Sequence, residues 1–382
     1  MTFIARRTVF SKALKPPARK KAKNVKLSLE VNVSMKRIAM GDGAGGELMH
    51  ELLSEHIIPF FPKVQTEVPL DSFDDSAVVD DVVFTIDGHT VKPLIFPGGD
   101  IGSLAVSGTV NDIAVMGAKP LAMALSMILE EGLDIKVLET IAQSIGKYSE
   151  LAGVPVITGD TKVVEQGAAD QMIVTTSAIG KRSPYLDSNL QKAAEYRPVK
   201  SRWLTDNNLQ EGDAIIVSGT LGDHGVSLLS FREGYGFETD LQSDVAPLNG
   251  LIAEVLQTGG AVCMKDPTRG GFANAINEWS DKSQIGIEIE EHLVPLSETV
   301  VSACELLGID PLTIGNEGKV VIGCVPEMAE EIVKTLRAHP LGKNAAVIGH
   351  ATSKFENVVL KTEIGGHRIL ETPVGDPVPR IC

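Results

Sequence analysis

Asn111-Asp112-Ile113-Ala114-Val115-Met116-Gly117-Ala118-Lys119-Pro120 is the stretch on which the fold turns. It reads as the end of a helix of small residues over 103–116, halted at Gly117 and barred from continuing by Pro120. An acid there faces the negative pole of the helix dipole, so Asp112 is unfavourable unless a cation sits beside it. One residue therefore marks a helix end and gives a local reason to look for a metal. Working outward, Pro97-Gly98-Gly99-Asp100-Ile101-Gly102 opens this helix, and 121–129 reads as the strand that leaves it. Asp134 is placed to cap a helix running to about residue 151.

Further acids fall at similar places. Phe73-Asp74-Asp75-Ser76-Ala77-Val78-Val79 precedes a β-branched strand over 82–86 that ends on Asp87. A strand over 154–158 delivers Gly159-Asp160-Thr161-Lys162 at its end, and 171–179 reads as another strand. Asp75, Asp87, Asp112 and Asp160 thus all sit at element ends. Mg²⁺ takes oxygen ligands and is commonly shared between carboxylates and nucleotide phosphates, so these acids beside Lys162 describe an ATP site. Upstream, Gly41-Asp42-Gly43-Ala44-Gly45-Gly46 precedes a helical pattern over 47–53. Gly43, Gly45 and Gly46 can bring backbone N–H groups against phosphate there. Taken alone, that loop is equally a flexible turn, and Asp74-Asp75 a solvated one. The chain has no Gly-x-x-x-x-Gly-Lys-Ser/Thr loop and no Gly-x-Gly-x-x-Gly after a strand, which excludes P-loop and dinucleotide-fold modes of holding the nucleotide.

Residues 181–211 are polar, with Pro184, Pro198 and Trp203, and read as an interdomain connection. A second α/β region follows, with strands over 213–218, 286–290 and 320–324 and helices over 272–280, 297–307 and 328–338. Lys265-Asp266-Pro267-Thr268-Arg269-Gly270-Gly271 reads as a loop, and Gly315-Asn316-Glu317-Gly318-Lys319 feeds the strand after it. Strands and helices mix without strict alternation, so the fold class is α+β in two domains. The net charge of −15 is uneven: residues 1–34 hold nine Lys/Arg against Glu30, leaving −23 on the remainder. An acidic body argues against a general nucleic-acid binder. The basic leader is a transit peptide, a disordered arm, or sequence upstream of a start at Met35; it is assigned no chemistry. No run of 18 apolar residues exists, and the chain is expected to be soluble and cytoplasmic.

The four cysteines form no Cys-x-x-Cys pair. Cys263, Cys304 and Cys324 sit in apolar surroundings and read as core thiols. Cys382 is different. It ends the chain behind Pro377-Val378-Pro379-Arg380-Ile381, and prolines keep such a segment extended. From residue 366 onward the chain can reach roughly 50 Å, which puts a nucleophile on the tip of a tail. A frayed terminus that happens to finish on cysteine is the plain alternative.

The helix-end stretch matches the Asp-x4-Gly-Ala-x-Pro signature of the AIR synthase (PurM-like) superfamily of ATP-dependent enzymes, and Asp74-Asp75-Ser76-Ala77-Val78 and Gly159-Asp160-Thr161-Lys162 resemble its other motifs. Within that superfamily the chain most resembles the HypE family of hydrogenase maturation proteins. The resemblance rests on 96–102, 158–164, 218–225, Asn316-Glu317-Gly318-Lys319 and the terminal Pro379-Arg380-Ile381-Cys382. It departs from the family at Asp42, where a histidine is usual, and in the longer 181–211 connection. The resemblance implies a PurM-like N-terminal domain over 35–180 that binds ATP and pairs with its twin in a homodimer. It also implies a C-terminal α/β domain over 212–360 and a mobile tail over 361–382. The implied activity is ATP-dependent dehydration of an S-carbamoyl group on Cys382 to a thiocyanate, supplying the cyano ligand for [NiFe]-hydrogenase iron. The implied cofactors are ATP and Mg²⁺, with Asp75, Asp87, Asp112 and Asp160 as metal ligands. The implied partners are a HypF-like carbamoyltransferase and a HypC–HypD-like iron scaffold. Lys162 and Glu317 are the candidates for removing protons and holding the amide, and Lys162 alternatively contacts phosphate. Selenophosphate synthetase and thiamine-monophosphate kinase share the aspartate motifs but do not explain the terminal cysteine. A non-catalytic nucleotide sensor and a metallochaperone are the other readings; a single thiol is a poor transition-metal site.

Overall fold

A helix of small residues can lie wholly inside a protein, and Ile101–Val115 does: every residue except the half-buried Asp112 is buried. Asp100 caps it, accepting hydrogen bonds from the N–H groups of Gly102 and Ser103. In this computed structural model the described residues are 37–233, 240–375, 377–378 and 380–382. Ala39–Cys382 cluster as one unit. The basic leader expected over 1–34 and Pro379 lie outside the described residues.

In chain order the first elements are α1 (Gly46–His56), β1 (Ala77–Val79), β2 (Val82–His89), β3 (Ile95–Phe96), β4 (Gly99–Asp100) and α2 (Ile101–Val115). Then come β5 (Ala118–Glu130), α3 (Ile135–Ala152), β6 (Val156–Val164), β7 (Met172–Arg182) and α4 (Leu186–Ala194). The second half contributes β8 (Ala214–Val217), α5 (Asp223–Glu233), α6 (Asn249–Thr258), β9 (Ala261–Lys265), α7 (Gly271–Ser283) and β10 (Gly286–Glu290). It finishes with α8 (Glu298–Leu307), β11 (Val321–Cys324), α9 (Ala329–Ala338), β12 (Ala346–Thr352), β13 (Val358–Lys361) and β14 (His367–Ile369).

One sheet runs β1-β2-β7-β5-β6, antiparallel except for the β5/β6 pair at its edge. The other runs β14-β13-β10-β12-β8-β11-β9, antiparallel except where β10 meets β13. Helix α2 lies between the first sheet and α6 of the second half. Its approach to β7 needs Gly180, where a Cβ would lie 2.4 Å from Ile113. Asn111 bolts the two halves together, donating to the Ala246 carbonyl at 3.2 Å and accepting from the Leu248 N–H at 2.7 Å. The mixed architecture is the α+β arrangement expected from the sequence.

Three segments differ from their expected form. Residues 181–211 hold α4, and Trp203, Leu204 and Leu209 are buried, so this connection packs as part of the core. Gly159–Lys162 is the middle of β6, not a loop at a strand end, because β6 continues beside β5 to Val164. The tail expected from 361 begins only after Leu370, since His367–Ile369 pairs back on Val359–Lys361.

Candidate active site

The period of two along β2 turns Val83, Thr85 and His89 toward α2, and all three are buried. Asp87 shares that face. Thr85 Oγ1 donates to Asp112 Oδ2 at 2.7 Å, and Thr109 Oγ1 reaches Asp87 Oδ2 at 3.4 Å. Asp75 sits just ahead of β1. From the other half, the loop after β9 supplies Asp266 and Arg269, and the turn before β11 supplies Glu317. Asp75, Thr85, Asp87, His89, Asp112, Asp266, Arg269 and Glu317 line one cleft of about 1150 Å³, together with Gly45, Gly46, His50 and Cys382. That volume exceeds what a small ligand alone needs.

Charge in the cleft is crowded. Burial, and then the neighbouring Asp87, Asp266 and Asp75, push Asp112 well above the usual carboxylate range. Burial, and then Asp87, raise Asp266 to about 7. Glu317 is pushed well up by burial and by Asp244 and Asp266, with Arg269 opposing. Asp266 Oδ2 is buried with no hydrogen-bond partner among the described residues, and so is Nδ1 of His89. Arg269 is raised, chiefly by the negative end of the chain at Cys382. Beneath the acids lies a compensated network. Lys265 Nζ is 2.9 Å from Asp75, 3.1 Å from Asp206 and 3.0 Å from Glu278, while Lys282 and the Trp279 indole also donate to Asp206. Asp75 is thus partly neutralised by Lys265, whereas Asp87, Asp112 and Asp266 face each other.

The all-oxygen donor set, the orphaned Asp266 oxygen and the mutual repulsion fit a hard divalent cation such as Mg²⁺. Asp75, Asp87, Asp112 and Asp266 line the cleft together, but their oxygens do not all lie within 4.8 Å of one another, so any cation would have to draw them closer or bind through fewer of them.

The tail is docked in this cleft. Thr90 N donates to the Cys382 carbonyl at 3.0 Å, and Lys92 N to the Arg380 carbonyl at 3.3 Å. His224 Nε2 lies 2.9 Å from the Ile381 carbonyl. Val378 and Ile381 are buried, so the final residues form part of the core. The other three cysteines are buried within the second half, and burial raises Cys304 to about 11 and Cys324 further.

Of the residues singled out from sequence, Asp75, Asp87, Asp112, Glu317, Cys382, Gly45 and Gly46 meet in the cleft. Three do not. Gly43 is exposed, and a Cβ there would meet nothing within 4 Å. Asp160 and Lys162 pair with each other at 3.2 Å on β6, their side chains 63% and 69% exposed. They are absent from the cleft because the edge strand holds them on the far border of the sheet. The sequence reading passes over Lys265, Asp266 and Arg269. The available signal is a lysine and an aspartate closing an otherwise apolar run, Ala261-Val262-Cys263-Met264. Asp42, where the family usually has histidine, caps the chain locally: its Oδ2 accepts the Ala39 N–H at 2.7 Å.

Comparison with known proteins gives a consistent assignment. The AIR synthase related protein N-terminal domain matches residues 73–181, and the AIR synthase related protein C-terminal domain matches 210–361. A putative hydrogenase expression/formation protein of Methanocaldococcus jannaschii is 50% identical over 91% of this chain and 100% of its own. The carbamoyl dehydratase HypE of Rhizobium leguminosarum bv. viciae is 43% identical over 92% of this chain and 97% of its own. Among solved structures, a HypE–HypF complex aligns with a TM-score of 0.76 at 39% identity, covering 84% of this chain and 99% of that one. HypE in complex with ATP aligns with a TM-score of 0.72 at 38% identity, covering 91% and 100%.

Proposed function

The chain belongs to the HypE family of AIR synthase related proteins, and from that premise we propose that it is an ATP-dependent carbamoyl dehydratase acting on its own Cys382. The observation that carries this reading is the position of the terminal cysteine. It lies with Asp87, Asp112, Asp266, Glu317 and Arg269 in a cleft with room for a nucleotide as well.

In this reading a HypF-like partner places a carbamoyl group on the Cys382 sulfur, and the tail carries it into the cleft. The carboxamide oxygen attacks the γ-phosphoryl group of ATP. That oxygen then departs with phosphate as both N–H protons leave, and a thiocyanate remains on the sulfur. The products are ADP, phosphate and one proton. Phosphorylation is needed because an amide oxygen is otherwise a poor leaving group. Asp87, Asp112 and Asp266 would hold Mg²⁺, which supplies charge neutralisation at the phosphates. Glu317 is the chain's own candidate for taking a proton, because burial raises its carboxyl well above the usual range and so makes its carboxylate a stronger base. Arg269 faces the developing negative charge. The cyano group is destined for iron on a HypC–HypD-like complex, for [NiFe]-hydrogenase assembly.

Lys162 enters through a second copy of the chain. In-register pairing puts Asp160 and Lys162 on the same sheet face as Ser126 and Ile128, then Thr175 and Ile173, then Ile179, Phe84 and Ile86. Phe84 is 44% exposed and Ile86 63%, an open apolar sheet face of the kind a partner sheet covers. Covering it in a homodimer would bring the Asp160–Lys162 pair of one copy toward the cleft of the other. An isologous pairing would do this twice, once for each cleft.

Cys382→Ala tests the reading. The variant should bind ATP as tightly as the parent protein yet form no thiocyanate with carbamoyl donor and partner present. Thiocyanate appearing on another cysteine, or lost ATP binding, would overturn it.

A further inference from the structure

The docked tail is gripped from outside the cleft as well as within it. Arg380 Nη1 lies 2.6 Å from Asp170 Oδ2, and its Nε donates to the Thr90 carbonyl at 2.9 Å. Asp170 belongs to the turn between β6 and β7, and Lys92 Nζ reaches the same oxygen at 2.6 Å. Arg232, on α5, donates through Nε to the Lys92 carbonyl at 2.9 Å and through Nη2 to the Arg380 carbonyl at 3.0 Å. Three separate segments of the fold therefore converge on one residue two positions before the reacting cysteine.

The backbone gives a second, independent sign that this residue is held. Arg380 has φ of +56°, a left-handed conformation that a non-glycine residue adopts only when its surroundings require it. Arg380 also lies between two buried anchors. Val378 is fully buried, and Ile381 inserts where Gly225 and Gly315 leave room: a Cβ on either would come within 3.0 and 3.2 Å of its Cδ1. Docking thus reads the end of the chain residue by residue, with arginine outside, isoleucine in a pocket and cysteine in the cleft. None of the groups that grip Arg380 needs to touch the nucleotide or the reacting carbon.

We propose that Asp170, with Lys92 and Arg232, forms a clasp that closes on Arg380 and sets how much of the time Cys382 is in the cleft rather than outside it. Asp170 is in this sense a positioning residue. The proposal rests on the reading of Cys382 as the reacting group, since the clasp matters only if the thiol must alternate between a partner and the cleft. The clasp is charged and half-exposed, so it is strong enough to bias docking and weak enough to release.

Thiol labelling measures the clasp directly. Cys263, Cys304 and Cys324 are buried and Cys382 is half-buried in an open cleft, so an alkylating reagent too bulky to enter the cleft attacks Cys382 only when the tail leaves. The rate of Cys382 alkylation, read by mass spectrometry on the full-length protein, should rise about 3-fold in Asp170→Asn. It should rise about 10-fold in Arg380→Ala, which loses the Thr90 bond too. Asp170→Glu should restore the parent rate. An unchanged rate in Asp170→Asn would overturn the clasp, and so would a parallel rise at the three buried cysteines, which would mean general loosening. Labelling needs no activity, so the two ideas fail separately. A clasp that fails leaves thiocyanate formation untouched, and an absent thiocyanate leaves the labelling result standing.

Discussion

Asp112 and Asp160 occupy motifs of the same superfamily and read alike as metal ligands in the sequence, but the fold gives them opposite environments. Asp112 faces the cleft from the end of an interior helix, and its carboxyl is pushed well above the ordinary range by burial and three neighbouring acids. Asp160 is exposed on an edge strand, paired with Lys162 and with the Thr161 N–H, and its carboxyl is held below the ordinary range. One acid is destabilised by burial and by its acidic neighbours; the other is paired with the Lys162 ammonium. The difference teaches that a motif fixes which residues are present, and burial fixes what they can do within a single chain. Asp160 and Lys162 gain a part in the chemistry only if a second copy lends them.

The comparison can be broken most sharply at Asp112. Asp112→Asn should lower ATP-dependent turnover by a factor of about 100 or more, with Mg²⁺-dependent nucleotide binding weakened in parallel. Single-turnover kinetics with calorimetry would read both. Wild-type Mg²⁺ dependence in that variant would remove Asp112 from the site. The next effect concerns Lys162. Lys162→Ala and Cys382→Ala should each be inactive, yet a random mixture of the two should regain roughly a quarter of parental turnover, because half the dimers carry one intact site of two. No recovery would place Lys162 and Cys382 in the cleft of the same copy, or remove Lys162 from the reaction.

A pH experiment compares the same acids without chemistry. An acid whose folded pKa lies above its unfolded value binds protons more tightly when folded, so stability falls as pH rises through that interval. For Asp266, at about 7, the interval runs from about 4 to about 7. The metal-free protein should therefore melt at lower temperature at pH 7.5 than at pH 5.5, and Asp266→Asn should flatten the slope. A slope unchanged in Asp266→Asn would show that this acid is not strained. Asp160→Asn should leave the pH profile as it is. The smallest effect belongs to Asp42, whose side chain only caps a turn: Asp42→Ala should cost about 1 kcal/mol of stability and leave the cleft's nucleotide affinity unaltered. A large loss of affinity would give Asp42 a direct part in closing the glycine loop.

Much of this was legible in the residues themselves. The interior helix α2 was placed by its opening at 97–102 and by Gly117 and Pro120, though its start lies two residues earlier than the 103 expected, at Ile101 behind the Asp100 cap, and Asp112 was suspect from the helix dipole alone. Asp134 likewise caps α3, accepting the Lys136 N–H at 2.8 Å. The grouping of Asp266 and Arg269 with Asp87 was not legible, because it is made by a contact between the two halves of the chain that no local pattern encodes. Lys265 was hidden for the same reason: its partners Asp75 and Asp206 are distant in sequence, and a lysine after an apolar run reads as a strand end. The sheet edge misled the reading of Gly159-Asp160-Thr161-Lys162, since an exposed edge strand has no burial alternation to mark its length. The tail could be read as mobile or docked with equal right. Its fate depends on Thr90, Asp170 and His224, none of which is near it in sequence.

The central claim is that Cys382 carries the reacting group into a carboxylate-lined cleft. The most direct test is peptide mass spectrometry of the C-terminal segment after carbamoylation, by cyanate or by a HypF-like partner with carbamoyl phosphate. The account predicts that S-carbamoyl Cys382 loses one water when ATP and Mg²⁺ are added and not otherwise. A carbamoylated Cys382 that stays unchanged while ATP is bound or hydrolysed would contradict it.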